Sequence, residues 1–220
     1  DERAVRRLEK LEGVQAVYPI VGAAFPMRAE GGEGFLGKRM RTDVFATGVD
    51  PSLVKDDIAK EESFVAEKDG RVPVLVSRRL LDLYNTTVAP AIAKPRLSPE
   101  AVIGFEFQVT LGQSYAKGTP DRSKVRRVVA RIVGVSERAS MVGLTVPRAT
   151  MDAWNLLQGH DSVFTGAWVE TTSPDAAGPV TAAIEAAGLK VDDTAKTIGA
   201  TLAVAAGRGG LFTAILLAFS

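Results

Sequence analysis

The chain has 220 residues, 46% of them hydrophobic, so it is long enough to bury one large core or two small ones. Its 27 Lys and Arg residues nearly balance 26 Asp and Glu residues, which removes the electrostatic reason to expect a nucleic acid or an anionic membrane surface as partner. The lack of cysteine excludes disulfides, thiolate nucleophiles and thiolate metal ligands. The chain opens at Asp1 without a signal-peptide pattern, as expected of a domain taken from a longer protein.

The N-terminal part predicts a helix followed by a hairpin. Apolar residues recur on one side of Glu2–Glu12, which is typical of a short amphipathic helix, and Gly13 suits its C-terminal cap. Val14–Arg28 and Arg41–Val49 are strand-like runs on either side of a glycine-rich stretch. We therefore expect these two runs to pair as a long hairpin.

The middle of the chain is less regular. Asp50–Ala59 begins with Asp-Pro, an N-cap and a preset first turn, and predicts a short helix. The charged stretch Lys60–Asp69 is a candidate crossing between domains. A helix is predicted for Val74–Tyr84, and the prolines of Thr86–Pro99 exclude long regular structure there.

Two further strands are predicted at Phe105–Leu111 and Lys124–Val135. Arg126, Arg127 and Arg131 are interleaved with valines in the second strand, which predicts a solvated strand face. The stretch has the period of a strand with one polar side.

The last third predicts a strand, a helix and a second strand. A strand near Val163–Thr171 is followed by Ser173 as N-cap and Pro174 at the first helical position, and Gly188 ends the helix before a strand at Leu189–Val191. This order echoes the N-terminal helix, Gly13 and strand. Two such units in one sheet predict an α+β fold of ferredoxin-like, split βαβ type.

The predicted domain organisation is discontinuous. Residues 1–64 and 144–207 would form one α+β domain, and residues 65–143 would be inserted into it as a small β-rich lobe.

The end of the chain is apolar. Leu211–Phe219 carries no charge, and it follows a second uncharged stretch and the glycines around Arg208. Spanning a bilayer takes roughly 20 such residues, so the run fits half a span or equally a buried core helix. Its position after a predicted stalk helix favours the start of a transmembrane helix over residues 208–220.

A glycine-rich run, Gly32–Lys38, satisfies G-x-G-x-x-G and most of the Walker A pattern. Phosphate binding requires that such a loop open a helix, whereas here Arg39–Phe45 leads into a strand, and Arg39 occupies the position that needs a hydroxyl. The run is therefore interpreted as a hairpin loop.

The remaining polar candidates are also interpreted as structural. His160, the one histidine, lies between Gly159 and Asp161, as in an exposed turn. The adjacent acids Asp56–Asp57, Glu61–Glu62 and Asp192–Asp193 point in different directions and are expected to be solvated. The sequence thus predicts no catalytic, cofactor-binding or metal-binding residues and no cofactor.

Several short phrases resemble the periplasmic core domain of MacB/FtsX/LolC-like ABC-transporter permeases. They are Leu8–Pro19, Gly48–Pro51, Val74–Leu81 followed by Gly104–Leu111, Ile132–Val135 and Thr145–Pro147. Their order and spacing across most of residues 1–205 carry the resemblance. In this reading Val74–Ser77 is a strand before a helix, and the Pro-rich stretch Thr86–Pro99 departs from the family pattern.

The resemblance implies a non-catalytic porter-type domain between the first two membrane helices of a permease, on the extracytoplasmic side of the cell membrane. It implies a cytoplasmic ABC ATPase as partner, a permease dimer, and an extracytoplasmic protein or substrate, with no nucleic acid. It also implies stalks at Asp1–Glu12 and Asp193–Gly207 that transmit ATP-driven motion. The alternative hypotheses are a soluble two-lobed module that binds a small ligand between its lobes and, least favoured, an enzyme.

Overall fold

The computed structural model describes residues 2–33, 39–66, 70–116, 121–192 and 214–218. The strands are β1 (Val14–Gly22), β2 (Met27–Gly31), β3 (Met40–Val49), β4 (Arg71–Ser77), β5 (Glu106–Leu111), β6 (Arg126–Ser136), β7 (Gly143–Pro147), β8 (Phe164–Thr171), β9 (Lys190–Val191) and β10 (Ala214–Ala218). The longer helices are α1 (Glu2–Leu8), α2 (Arg78–Leu83), α3 (Arg148–Gln158) and α4 (Ala177–Ala186). Shorter helical turns lie at Pro51–Asp57, Tyr84–Val88, Ala89–Ala91, Pro99–Val102 and Pro174–Ala176.

The chain divides into two compact units. Unit 1 consists of Asp1–Val21 and Val163–Ser220, and unit 2 is Gly22–Ser162. A discontinuous arrangement was predicted, but with boundaries near residues 65 and 143. In the structure the boundaries lie nearer the two ends of the chain, at Gly22 and Ser162, because β2, β3 and β7 pair with the strands of unit 2.

Unit 1 contains a split βαβ arrangement, as the sequence predicts. β1 pairs antiparallel with β8, and β10 lies between β8 and β9, antiparallel to both. β8 and β9 therefore run parallel with one strand between them, and α4 connects them.

The core of unit 1 is the apolar side of its two helices packed on β8. Its buried members are Leu8, Ala167, Val169, Val180, Ile184 and Val191. The caps predicted for α4 are present: the Ser173 hydroxyl accepts a hydrogen bond from the Ala176 amide at 3.3 Å, and Gly188 has φ of +81°. The prediction for the first helix needs correction, because α1 ends at Leu8 and not at Glu12, so Gly13, with φ of +86°, lies in the turns before β1 and does not cap the helix. The predicted helix is thus present as the short turn Pro174–Ala176 followed directly by α4, which ends just before Gly188.

The apolar tail differs from its prediction. Ala214–Ala218 forms a strand, whereas the sequence predicts the start of a transmembrane helix over residues 208–220. A short apolar run fits either structure, and here the free edge of β8 supplies its hydrogen-bond partner. The rest of that segment and the stalk predicted at Asp193–Gly207 lie outside the described residues. In the described part of the chain, no helix has the length and apolar character needed to cross a membrane.

Unit 2 is built on a closed sheet. The strand order is β2-β5-β6-β4-β7-β3, and β3 pairs back with β2. β4–β6 and β3–β7 are parallel, and the other neighbours are antiparallel. The closed sheet therefore has an inner face, which holds the core, and an outer face.

Two local predictions in unit 2 need correction. Residues Val74–Ser77 belong to β4 and not to a helix, because a strand buried on both sides presents the same continuous apolar run as a helix core. The predicted strand Val14–Arg28 is divided into two. Its first part, Val14–Gly22, is the separate strand β1, and the hairpin is formed by β2 and β3, with Arg28 opposite Asp43. Pro26, which has no amide hydrogen, lies between β1 and β2.

α3 packs closely on β3 and fixes the first residues of unit 2. A Cβ at Gly48 would lie 2.5 Å from the Met151 Cβ, so only glycine allows this approach. The fully buried Asn155 accepts from the Ala24 amide and donates to the Gly22 carbonyl, both at 3.0 Å. These bonds replace the strand pairing that the backbone loses between β1 and β2.

Candidate functional site

The structure describes the two motifs that resembled functional sites only in part: His160, and the first two residues of Gly32–Lys38. Gly32 has φ +94°, residues 34–38 lie outside the described residues, and strand β3 follows from Met40. His160 is exposed just after α3, and its amide donates to the Asn155 carbonyl at 2.9 Å. His160 follows α3 and does not begin a helix, so it offers no helix N-terminus to a phosphate.

No metal-binding cluster is present in the described part of the chain. No three histidine or carboxylate side chains come close enough together there to hold an ion. His160 therefore has no carboxylate partners for metal binding among those residues.

Two of the acids expected to be solvated are partly buried, which corrects the prediction. Asp57 accepts from the Ser136 hydroxyl at 2.6 Å and from an Arg138 Nη1 at 3.2 Å. Glu62, whose side chain is 14% exposed, is bound by Arg131. Their neighbours in sequence, Asp56 and Glu61, are exposed as expected. Adjacent residues do point apart, but one of each pair faces the sheet.

The segment Asp57–Glu62 is bound to β6 by the backbone. The Ala59 amide donates to the Val133 carbonyl at 3.0 Å, and Ile58 forms an antiparallel bridge with Gly134. A Cβ at Gly134 would lie 2.2 Å from the Asp57 carbonyl oxygen. The close approach of the segment to β6 therefore depends on a glycine at this position.

The Arg131 ion-pair cluster, formed by Arg131, Glu62, Glu106 and Arg71, lies beside this segment. Arg131 donates to both Glu62 carboxylate oxygens, at 2.8 and 3.2 Å, and to Glu106 at 3.2 Å. Arg71 donates to the same Glu106 oxygen at 3.1 Å. Hydrogen bonds from Arg71 and Arg131 lower the pKa of Glu106, and those to Glu62 and Glu106 raise the pKa of Arg131. Two cations thus match two anions.

The arginine face is a second charged cluster on the outer face of the closed sheet, formed by Arg28, Arg39, Arg41, Glu30 and Tyr115. The three guanidinium groups surround Glu30, with N–O distances of 3.4, 3.4 and 3.6 Å. Glu30 is 10% exposed, whereas Arg39 and Arg41 are 49% and 61% exposed. One carboxylate is thus shared by three cations, two of which reach solvent.

Tyr115 holds the centre of the arginine face in place. Its hydroxyl donates to Glu30 at 3.1 Å, and its ring lies 5.0 Å from the Arg28 guanidinium carbon, in a cation–π contact. Asp43 fixes the loop that carries the ring, because it accepts from the Ser114 hydroxyl at 2.6 Å and from the Tyr115 and Ala116 amides at 2.8 and 3.3 Å.

These contacts determine the charge state of the arginine face. The Tyr115 hydrogen bond and the nearby arginines hold the pKa of Glu30 below its usual value. The hydrogen bonds from Ser114 and Tyr115 lower the pKa of Asp43. Partial burial and the Glu30 carboxylate raise the pKa of Tyr115. Both acids are therefore ionised at neutral pH and the phenol is neutral, so none is poised for proton transfer. The arrangement can bind anions.

Sequence reasoning missed the arginine face, although a signal for it exists. Arg28 and Glu30 alternate in β2, and Arg41 and Asp43 alternate in β3 with Arg39 just before it at the same spacing, which is the period of one strand face. Their meeting depends on the register that places Glu30 opposite Arg41. The arginines of β6 were predicted to be solvated, which holds for Arg126 and Arg127 but not for Arg131, since that side chain is 27% exposed and paired.

Among the solved structures that are similar to this chain, three are domains of transport proteins by description. The chain is 16% identical to the extracellular domain of the noncanonical ABC-type transporter YknZ from Gram-positive bacteria, covering 82% of this chain and 77% of that one, with a TM-score of 0.39. It is 15% identical to the periplasmic region of MacB from Actinobacillus actinomycetemcomitans, covering 84% and 72%, with a TM-score of 0.38. It is 15% identical to a domain of a permease protein from Porphyromonas gingivalis, covering 83% and 73%, with a TM-score of 0.32.

Curated proteins provide no match to this chain. A family model does match, over residues 1–192, which include all of unit 2 and most of the described part of unit 1. Its description is "Probable transporter periplasmic core domain", and it names no enzymatic activity. The match confirms the resemblance found in the sequence: the chain belongs to the PCD-like family of transporter periplasmic core domains.

Proposed function

We propose that this chain is the extracytoplasmic domain of an ABC-transporter permease and that it transmits ATP-driven motion of the membrane helices to an extracytoplasmic substrate or partner protein. The observation that carries this proposal is the family match over residues 1–192. The proposal includes a cytoplasmic ATPase that supplies the energy and a permease dimer that brings two copies of the domain together.

The division of the chain supports a mechanical role. Both ends of the sequence belong to unit 1, and unit 2 is entered at Gly22 and left at Ser162. Force applied at the chain ends would act first on unit 1, where β1 and β8 pair over most of their length. Unit 2 has a closed sheet and its own core, so it would move as a body and not deform.

The test uses the intact transporter in lipid nanodiscs. The chain contributes no cysteine of its own, so a spin label can be placed at a single introduced site. Arg96 is exposed in unit 2, and R96C would report the distance between the two copies of a dimer. We expect this distance to differ between the nucleotide-free and ATP-bound states. Identical distance distributions in both states would contradict the proposed transmission.

A second label pair serves as the control. R96C with R122C lies within unit 2, where both side chains are exposed. The distance within one copy is expected to stay the same in both nucleotide states because the closed sheet is rigid. A change within unit 2 would instead show that ATP deforms the unit itself.

A further inference from the structure

We propose that the arginine face is a docking surface for an acidic segment of a partner protein. The inference rests on the proposed function, because it names the chemistry of the extracytoplasmic partner. It is carried by the surplus of exposed guanidinium groups around one carboxylate on the outer face of the closed sheet.

The hydrogen-bonding capacity of these arginines is largely unused by Glu30. Its contacts with Arg28, Arg39 and Arg41 are 3.4 to 3.6 Å long, whereas Arg131 approaches Glu62 to 2.8 Å. A guanidinium offers five N–H donors in a fork that matches a carboxylate bidentately. Arg39 and Arg41, about half exposed, can therefore present such forks to a carboxylate from outside.

The surface is held in one arrangement before any partner binds. Tyr115 contacts the Arg28 guanidinium and donates to Glu30, and Asp43 fixes the loop that carries Tyr115 with three hydrogen bonds. Side chains fixed in advance lose less conformational freedom on binding, which raises affinity.

An exposed aromatic residue extends the same face. Phe45 follows Arg41 and Asp43 at the period of β3, so the three share one side of the strand, and Phe45 is 71% exposed. Tyr115 is 47% exposed. Arginine and aromatic side chains together are the residue types that dominate binding energy at protein interfaces. The matching segment therefore contains acidic residues next to apolar ones.

A protein segment fits this surface better than an anionic membrane. Against Arg28, Arg39 and Arg41 stand Glu30 and Asp43, so the five groups carry a local charge of only +1, and the whole chain also carries +1. Attraction to a lipid surface requires several excess cations, each contributing about 1 kcal/mol. Discrete carboxylates that meet individual guanidinium groups do not require that excess.

Binding is tested with the 220-residue chain and two synthetic peptides. The first alternates Glu and Asp with Leu and Phe, and the second carries Gln and Asn in place of the acids. Fluorescence anisotropy is expected to show binding of the acidic peptide only, weakening as salt is raised. R39E/R41E is expected to weaken binding at least about tenfold, since charge reversal at an interface also adds repulsion. R39Q/R41Q removes both positive charges without adding negative ones, so it is expected to weaken binding less than R39E/R41E does.

The matched control is R3E/R7E, which changes the net charge by the same amount at exposed positions of α1 in unit 1. We expect it to bind the acidic peptide within about twofold of the original chain, because Arg3 and Arg7 are not part of the arginine face and the loss of overall charge alone is screened by salt. An equal loss in R3E/R7E would overturn the proposal, and so would equal binding of the amide peptide.

Replacement of the internal carboxylate gives a result of opposite sign. E30Q removes the anion that competes for the three arginines, so the acidic peptide is expected to bind several-fold tighter. If the arginines serve only to hold Glu30, the variant would bind no better than the original chain, which would overturn the proposal. Phosphatidylglycerol vesicles that bind in an Arg39- and Arg41-dependent way, without peptide binding, would assign the face to lipid instead.

The same variants separate this inference from the proposed function. In the intact transporter, R39E/R41E is expected to keep the ATP-dependent distance change at R96C while losing the acidic peptide. Absence of peptide binding with an intact distance change would refute the docking surface alone. Loss of the distance change in the original chain would refute the transmission alone.

Discussion

Two arginine clusters on the outer face of the same closed sheet differ in how their charges are paired. In the Arg131 cluster, two arginines meet two glutamates through hydrogen bonds of 2.8 to 3.2 Å. On the arginine face, three arginines share Glu30 at 3.4 to 3.6 Å and two of them are half exposed. The first cluster has one carboxylate for each arginine, and the second has one carboxylate for three.

The difference shows that two clusters of similar residue composition can have different roles, one in stability and the other in binding. Partly buried ion pairs with equal numbers of cations and anions contribute to the stability of the fold. Exposed cations in excess of their anions contribute little to stability and remain free to bind an external anion. The two clusters therefore predict different responses to substitution.

The largest expected effect is at Gly134, which lies against the segment Asp57–Glu62. Gly134→Ala would place a Cβ 2.2 Å from the Asp57 carbonyl oxygen, so the segment must move off β6. We expect a loss of about 3 kcal/mol in the free energy of unfolding, measured by urea denaturation. The control is Gly178→Ala in α4, where a Cβ meets nothing within 4 Å and alanine favours the helix. Equal stability of G134A and the original chain would show that the segment is not tightly bound.

A smaller effect distinguishes the two clusters directly. Arg131→Met leaves Glu62 and Glu106 without their shared cation in a partly buried site, and is expected to cost about 1–2 kcal/mol of unfolding free energy. Arg41→Gln, at a side chain 61% exposed, is expected to change it by less than about 0.5 kcal/mol. Urea denaturation measures both changes. Equal losses of unfolding free energy in the two variants would show that the two clusters do not differ in their contribution to stability.

The smallest expected effect is a change in acid sensitivity. The pKa of Glu106 is lowered in the folded state, so its contribution to stability is present above its unfolded value of 4.5 and is lost as pH falls through the lowered value. The same sign holds for Glu30. Between about pH 6 and pH 3, the urea midpoints of E106Q and E30Q should fall less steeply than that of the original chain. Curves for E106Q and E30Q that fall as steeply as that of the original chain would contradict this assignment.

Much of unit 1 could be predicted from sequence because its signals are local. Ser173 and Pro174 mark the start of a helix, Gly188 marks its end, and the helix has strands on both sides. The segment Val74–Ser77 could not be assigned by period, since a fully buried strand and a buried helix share the same apolar run. The end of the chain had the same ambiguity.

The sequence by itself determined the class of fold, the ordered phrases of a transporter periplasmic core domain and the exclusion of cysteine chemistry, because each depends on residue identity or short spacing. Only the tertiary structure decided which arginines are matched. Arg131 and Arg41 both lie in strands with polar neighbours, but a segment about 70 residues away in sequence brings Glu62 to the first. Strand register brings Glu30 to the second, and two more arginines with it. The alternation of charged residues along each strand is visible in the sequence, but which strands pair, and in which register, is set by the tertiary structure.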